Sequence, residues 1–333
     1  MMPPFLLLLA LAPLLSCDAP GPLKADRDPG ELFGPGEETL IVVDAVLIVD
    51  APLPPVLVRR TEAPGARYEA AATGVTGAEV SIRYGDALFE YLADPAMAGR
   101  YLPPEDAPRV EPGGEYELRV TSGDAPVVSA RTLVPARVRV EELVWLDEDL
   151  ETELQQLRLF SEIGDGVYDA GENQLEYPRG LLVALLEDAG ETGFYQFATF
   201  NLESYSPYLL DLEWIDEGDF ELDRQNTTPL LRAEDSYLYL PWDGIYHAGR
   251  YKVRLHAVDR NWYDLVRTDN IDAERSAGEA GQSFQRPLFH VENGIGLFAS
   301  ASVDSFGFFV RPGGSPPCSG CECWDCAVAP PEE

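Results

Sequence analysis

The sequence predicts an all-β protein built of two antiparallel, β-sandwich-like (immunoglobulin-like) domains, with one short helix in the second. Three observations predict it. Short apolar runs recur at regular spacing, clusters of Gly, Pro, Asp and Ser separate them, and within the runs apolar residues alternate with polar ones. That alternation is the period of a strand with one face in a core. With 333 residues, 45% of them hydrophobic, the chain can fill about two such cores.

Residues 1–16 carry an apolar run from Phe5 to Leu15, too short to span a bilayer as a mature helix and of the length of a signal-peptide core. The run ends in "LLSC", which resembles the lipobox of bacterial lipoproteins. Cys17 is therefore expected to become the first mature residue and to carry lipid, which holds a folded domain on a membrane surface without a spanning helix. No Lys or Arg precedes the run, so the amino terminus supplies the positive charge there. An ordinary secretory peptide cleaved nearby is the alternative. Residues 17–37 are rich in Pro, Gly and Asp and read as a tether between lipid and fold.

Residues 38–135 read as the first sandwich. "TLIVVDAVLIVD" (Thr39 to Asp50) is β-branched and apolar, as a buried strand is. "PVLVRRT", "AEVSIRY", "LFEYLA", "GRYLPP", "GEYELRVTS" and "VVSARTLVP" follow as further short runs. In "EPGGEYELRVTSGD" the pair Gly113 and Gly114 turns the chain, and Tyr116, Leu118 and Val120 alternate with charged or polar neighbours. A proline between Val134 and Arg137 breaks the pattern, and "VRVEELVWL" begins a fresh strand.

Residues 136–312 read as a second, larger β domain with strands in "LLVALLED", "GFYQFATFNL", "SYLYLPW", "YKVRLHAVD" and "GLFASASVDSFGFFV". In "DRNWYDLVRTDNIDAE" the period changes. Asp259 is placed to cap a helix in which Trp262, Leu265 and Val266 recur at helical spacing.

Residues 313–333 are a Cys-rich tail, "CSGCECWDC", with Cys318, Cys321, Cys323 and Cys326. Export implies a compartment that permits disulfides, and four cysteines allow three pairings among which spacing does not choose. One short loop would have to wrap a zinc ion alone, and nothing helical follows "CWDC" as a thioredoxin-like redox motif requires. A disulfide clasp is the favoured reading, with zinc and redox chemistry as the alternatives.

The net charge is −34, from 58 acidic against 24 basic residues spread along the chain. Such a field repels nucleic acid and anionic lipid, so no nucleic-acid partner is expected. The plain reading of this acidity is a solubility adaptation, and a cation-collecting surface is the alternative. The histidines are His247, His256 and His290, each in or beside an aromatic-rich strand, and there is no "GxSxG" elbow. Carboxylates are so numerous that a pair of them carries no information about glycosidase-type chemistry. No catalytic residue is assigned, and the chain is read as non-enzymatic.

Two stretches suggest binding. In "SEIGDGVYDAGE" the spacing places Asp165, Gly166, the Val167 carbonyl, Asp169 and Glu172 as the second half of a calcium loop. The first half lacks its Asp or Asn ligands, so a solvated acidic hairpin loop is favoured, with bound Ca²⁺ as the alternative. "WIDEGDF" and "YLYLPWDGIYHAGRY" put Trp214, Phe220, Trp242, Tyr246 and Tyr251 near polar turns, as a recognition platform would. Filling of the core is the favoured reading of these aromatics.

Cys17, "ETLIVVDAVLIVD", "PVLVRRT", "GAEVSI", "GEYELRV", "EDAGETGFYQF", "DRNWYDLVRT", "FHVENGIGLFASASVDSF" and the closing "CWDC" run along almost the whole mature chain. Together they resemble a family of bacterial envelope lipoproteins, defined only as a domain of unknown function and found with TonB-dependent receptors. "VENGIGLFASAS" is the most specific of these segments. The resemblance implies a lipid-anchored, two-part β protein of the outer membrane, periplasmic or surface-facing, that serves an uptake receptor as an accessory. It supplies no catalytic or ligand residues, and because Cys318 and Cys321 are additions to the pattern it implies no pairing for the tail. A passive envelope scaffold and a carboxylate-based hydrolase are the alternatives.

Overall fold

Alternation decides which face each strand buries. β1 (Ile41–Ile48) turns Ile41, Val43, Ala45 and Leu47 into a core and Asp44 outward, because successive side chains of a strand point to opposite faces. The chain is described by a computed structural model over residues 39–62, 70–159, 173–187, 193–203, 208–209, 224–233, 236–242, 245–268 and 287–314. After β1 come β2 (Val56–Arg60), a single helical turn α1 (Ala70–Thr73), β3 (Glu79–Tyr84), β4 (Ala87–Ala93), β5 (Arg100–Leu102), β6 (Glu115–Thr121) and β7 (Val128–Leu133). In β6 the buried residues are Tyr116, Leu118 and Val120, the three that alternate in the sequence.

The second half continues with β8 (Val140–Leu146), β9 (Glu153–Leu157), β10 (Gln174–Glu176), β11 (Leu181–Leu186), β12 (Phe194–Asn201), β13 (Gln225–Thr227), β14 (Leu231–Arg232) and β15 (Tyr237–Leu240). It closes with β16 (Gly249–Val258), helix α2 (Arg260–Thr268), β17 (Val291–Glu292) and the 17-residue β18 (Ile295–Arg311). Among the described residues no helix is long and apolar enough to cross a membrane.

The larger sheet runs β13-β12-β16-β18-β1-β2-β5-β4-β3-β6-β7-β17, with β10 also on β18 and β14 on β12, while β15-β11-β8-β9 form a smaller one. Two cores result. The first gathers Val43, Leu47, Val58, Ile82, Tyr101, Tyr116, Leu118 and Phe298, so β3, β6 and β7 face β1, β2 and β5 across it. The second gathers Leu143, Trp145, Leu182, Leu238, Phe197, Val253, Leu255, Phe306 and Phe308, from the smaller sheet on one side and β12, β16 and β18 on the other. Both are sandwiches.

β18 belongs to both cores, with Phe298 in the first and Phe306, Phe308 and Val310 in the second. It pairs parallel with β1, Val42 opposite Ile295 through Ile48 opposite Ala301, and parallel with β10, but antiparallel with β16. Parallel partners leave no local turn signal because their connection is long. The first residues of β18 explain how it comes so close to β1. Gly296 has φ +116°, and a Cβ on it would collide with the Val43 carbonyl oxygen, so the approach requires glycine.

Candidate functional site

The "FASASVDS" run shows how the two cores are joined. Ser300, Ser302 and Asp304 lie two apart on β18 and so share one face. Ser302 Oγ accepts the N–H of Val138 at 2.8 Å, Asp304 Oδ2 accepts that of Val140 at 2.7 Å, and Ser300 Oγ donates to the Leu133 carbonyl at 3.3 Å. Val134 packs in the first core and Val138 in the second. Three side chains thus serve the backbone where it leaves β7 and enters β8, and a buried backbone group without such a partner would cost free energy.

The same junction holds α2. Asp259 caps the helix by accepting the Trp262 N–H at Oδ1, 2.9 Å away, and takes a 2.6 Å hydrogen bond from Thr132 Oγ1 at Oδ2. Thr132 Oγ1 also lies 2.6 Å from Ser300 Oγ. Asn261 Nδ2 donates to the carbonyls of Arg131, at 2.6 Å, and Phe298, at 2.8 Å. Burial pushes the Asp259 carboxyl up, and the hydrogen bonds from Thr132 and from the Trp262 N–H offset this only in part.

A cleft of about 1150 Å³ opens here, lined by the end of β7, residues 134–138, the start of β12, the end of β16 and one face of α2. Its lining includes Leu133, Val134, Pro135 and a stacked pair, Phe194 and Tyr263, whose ring centroids are 3.6 Å apart. Guanidinium groups stand over both rings, Arg232 5.2 Å from the Phe194 centroid and Arg267 5.6 Å from that of Tyr263. Four arginines line it, Arg131, Arg137, Arg260 and Arg267, against three acids, Glu115, Asp259 and Asp264. In a chain with more than twice as many acids as bases, that is a local reversal of charge.

Asp264 organises the helix side of the cleft. The carboxylate is buried and meets Arg260 Nε at 3.3 Å, Arg267 Nη2 at 3.0 Å and His290 Nε2 at 2.9 Å. Arg260, Asp264 and Arg267 meet because residues three and four apart share a helix face. Burial works against the ionised form of Asp264, but the bonds from Arg267, His290 and Arg260 outweigh it and hold the carboxyl below the usual carboxylate range.

Among the aromatics picked out by the sequence, Trp242 and Tyr251 belong to the second core. Trp242 is half-buried against the second core, donates Nε1–H to the Gly180 carbonyl at 2.8 Å and meets Tyr177 edge-on at 5.3 Å. Tyr251 is buried in that core, and the carbonyl of half-buried Tyr246 accepts the Leu209 N–H. His247 is buried 4.7 Å from the Tyr208 ring, and His256, whose pKa burial lowers, lies 5.7 Å from Trp262. Cys17, the calcium-loop residues Asp165 to Glu172, Trp214, Phe220 and the four tail cysteines lie outside the described residues. Among the described residues no group of three or more His, Cys, Asp and Glu is placed to hold a metal ion. Sequence reasoning passed over Arg260, Asp264 and Arg267, although "RNWYDLVR" carries their helical spacing openly.

Comparison with known proteins gives three findings. The model of a family described as a domain of unknown function (DUF4249) matches residues 28–306. No curated protein matches the chain. Among solved structures, one described for the host cell surface retention of a bacterial ice-binding adhesin is similar at 9% identity over 83% of this chain, with a TM-score of 0.19. This chain covers 65% of that one, less than two thirds of its length, and a likeness of that size carries no argument about fold or function.

Proposed function

The chain belongs to the DUF4249 family, and on that premise we propose that it is a lipid-anchored protein of the bacterial envelope that acts as a non-enzymatic binding partner of an outer-membrane, TonB-dependent uptake receptor. The lipobox-like "LLSC" and the Pro-rich stretch after it support an anchored domain with reach. The observation that carries the binding role is the junction cleft. Its two buried carboxyls are tied down, Asp259 by the helix cap and Thr132, Asp264 by two arginines and His290. The groups that face outward include guanidiniums and aromatic rings, which recognise partners by fork geometry and apolar area, with Glu115 at the start of β6 as the exposed acid of the lining.

The test is affinity purification from solubilised native membranes, with mass spectrometry of the partners and of the terminal peptides of the bait. Recovery of a TonB-dependent receptor together with a lipidated Cys17 peptide is the expected result. Lipidated bait without a receptor overturns the partnership, and an unlipidated Cys17 in the mature chain overturns the anchor.

A further inference from the structure

We infer that the junction cleft is a binding site for a single carboxylate carried on an apolar body, such as an aryl carboxylate or the end of a hydrophobic peptide. The inference deepens the binding role proposed above and rests on it.

The donors come first. An arginine offers five N–H donors in a fixed fork that matches a carboxylate. Two guanidiniums, Arg260 and Arg267, share the carboxylate of Asp264, while Asp259 accepts from Thr132 and the Trp262 N–H, so the arginine forks keep N–H donors for a further acceptor. The side chain of Arg260 is 83% exposed and reaches Asp264 through Nε alone. Arg131, 66% exposed, meets Glu117 at 3.5 Å. Arg137 is different, since it is held by two 2.7 Å bonds to Asp50 and serves as a fixed wall.

The apolar part of the lining decides what else the ligand carries. Leu133 is 64% exposed beside Val134, Pro135 and the Phe194/Tyr263 stack. A bare inorganic anion would leave this surface in water, whereas an apolar body removes it from water at about 25 cal/mol per Å². A neutral apolar ligand would desolvate the guanidiniums without replacing their hydrogen bonds, which is unfavourable. The net charge of −34 limits the number of negative groups. Screening confines each charge to about 8 Å at physiological salt, so the local arginines dominate for one carboxylate, while a polyanion reaches the acidic surface beyond. A cation meets the four arginines and finds both buried acids already engaged, with Glu115 as the one exposed acid of the lining.

The experiment is isothermal titration of the full lipidated chain in detergent with 4-phenylbutyrate and with hexanoate, each beside its primary amide. The expected result is that both acids bind and the amides bind about tenfold more weakly or less, as the loss of a charge-assisted pair dictates. Arg260→Gln is expected to weaken 4-phenylbutyrate about tenfold while leaving the circular dichroism of the chain unchanged; Arg131→Gln, whose arginine meets Glu117 in a surface pair, is the second variant, expected to weaken it in the same way with no change in melting temperature. Equal affinity for acid and amide, no binding of either acid, or unaltered binding by both variants overturns the inference. Receptor recovery from membranes without carboxylate binding removes this inference and leaves the receptor partnership standing. Carboxylate binding without a receptor does the reverse.

Discussion

At Asp259 one side chain has two structural tasks and an energetic cost. It caps α2 and ties the helix to Thr132, yet burial pushes its carboxyl above the ordinary 3.8. A carboxyl with a raised folded pKa binds more protons in the native state than in the unfolded chain within the window above 3.8. Its cost is absent below that window and appears as pH rises through it. Asn caps a helix as well as Asp does and carries no charge to desolvate. Asp259→Asn is therefore expected to gain stability relative to the native chain as pH is raised from about 3.8 to neutrality, measured by urea unfolding at several pH values. A flat difference across that range would remove the burial argument. Asp259→Ala is expected to lose about 1–2 kcal/mol at pH 7, since the cap goes and Thr132 loses its acceptor. Ser302→Ala strands the buried N–H of Val138 and is expected to cost about 1–3 kcal/mol; an unchanged midpoint would mean that another acceptor serves that group.

At the scale of elements, β18 decides the architecture. It is the strand that both cores share, and its serines and Asp304 secure the crossing between them. Near its start the backbone of β18 runs close against that of β1. Gly296→Ala forces a Cβ onto the Val43 carbonyl at a φ of +116°, which is expected to cost about 3 kcal/mol or more and to loosen the pairing with β1. Hydrogen exchange resolves this, because the amides of Val42 to Ile48 should lose protection before those of β16. Equal protection in mutant and native chains would show that the strand shifts to admit the methyl group. In α2 the sequence and the structure agree on Asp259 as the cap, and the structure adds Arg267 in the last turn, where a cation suits the helix dipole.

At the scale of the molecule, 58 acidic residues against 24 basic ones make self-repulsion a general cost of compactness. Salt screens it. Raising sodium chloride from about 0.01 M to about 0.15 M shortens the Debye length from about 30 Å to about 8 Å, so the melting temperature is expected to rise by a few degrees. The exposed ion pairs, such as Arg137 with Asp50, weaken under the same change, but such pairs contribute little. A fall in melting temperature would show that the ion pairs outweigh the repulsion.

Local patterns in the sequence were enough to read an all-β chain, a buried strand at β1, the core face of β6, the start of α2 and the residue that caps it. These properties depend on neighbours two to four positions away, and period and capping chemistry express them directly. It also displayed "VENGIGLFASAS" as its most specific segment without saying why. The parallel pairing of β18 with β1, the hold of its serines on the crossing between cores, and the meeting of Arg131, Arg260 and Arg267 at one cleft came from the folded chain alone. Thr132 meets Asp259 across 127 residues and Ser300 across 168. Contacts at that separation depend on how two sandwiches close on a shared strand, and no local period encodes such a closure.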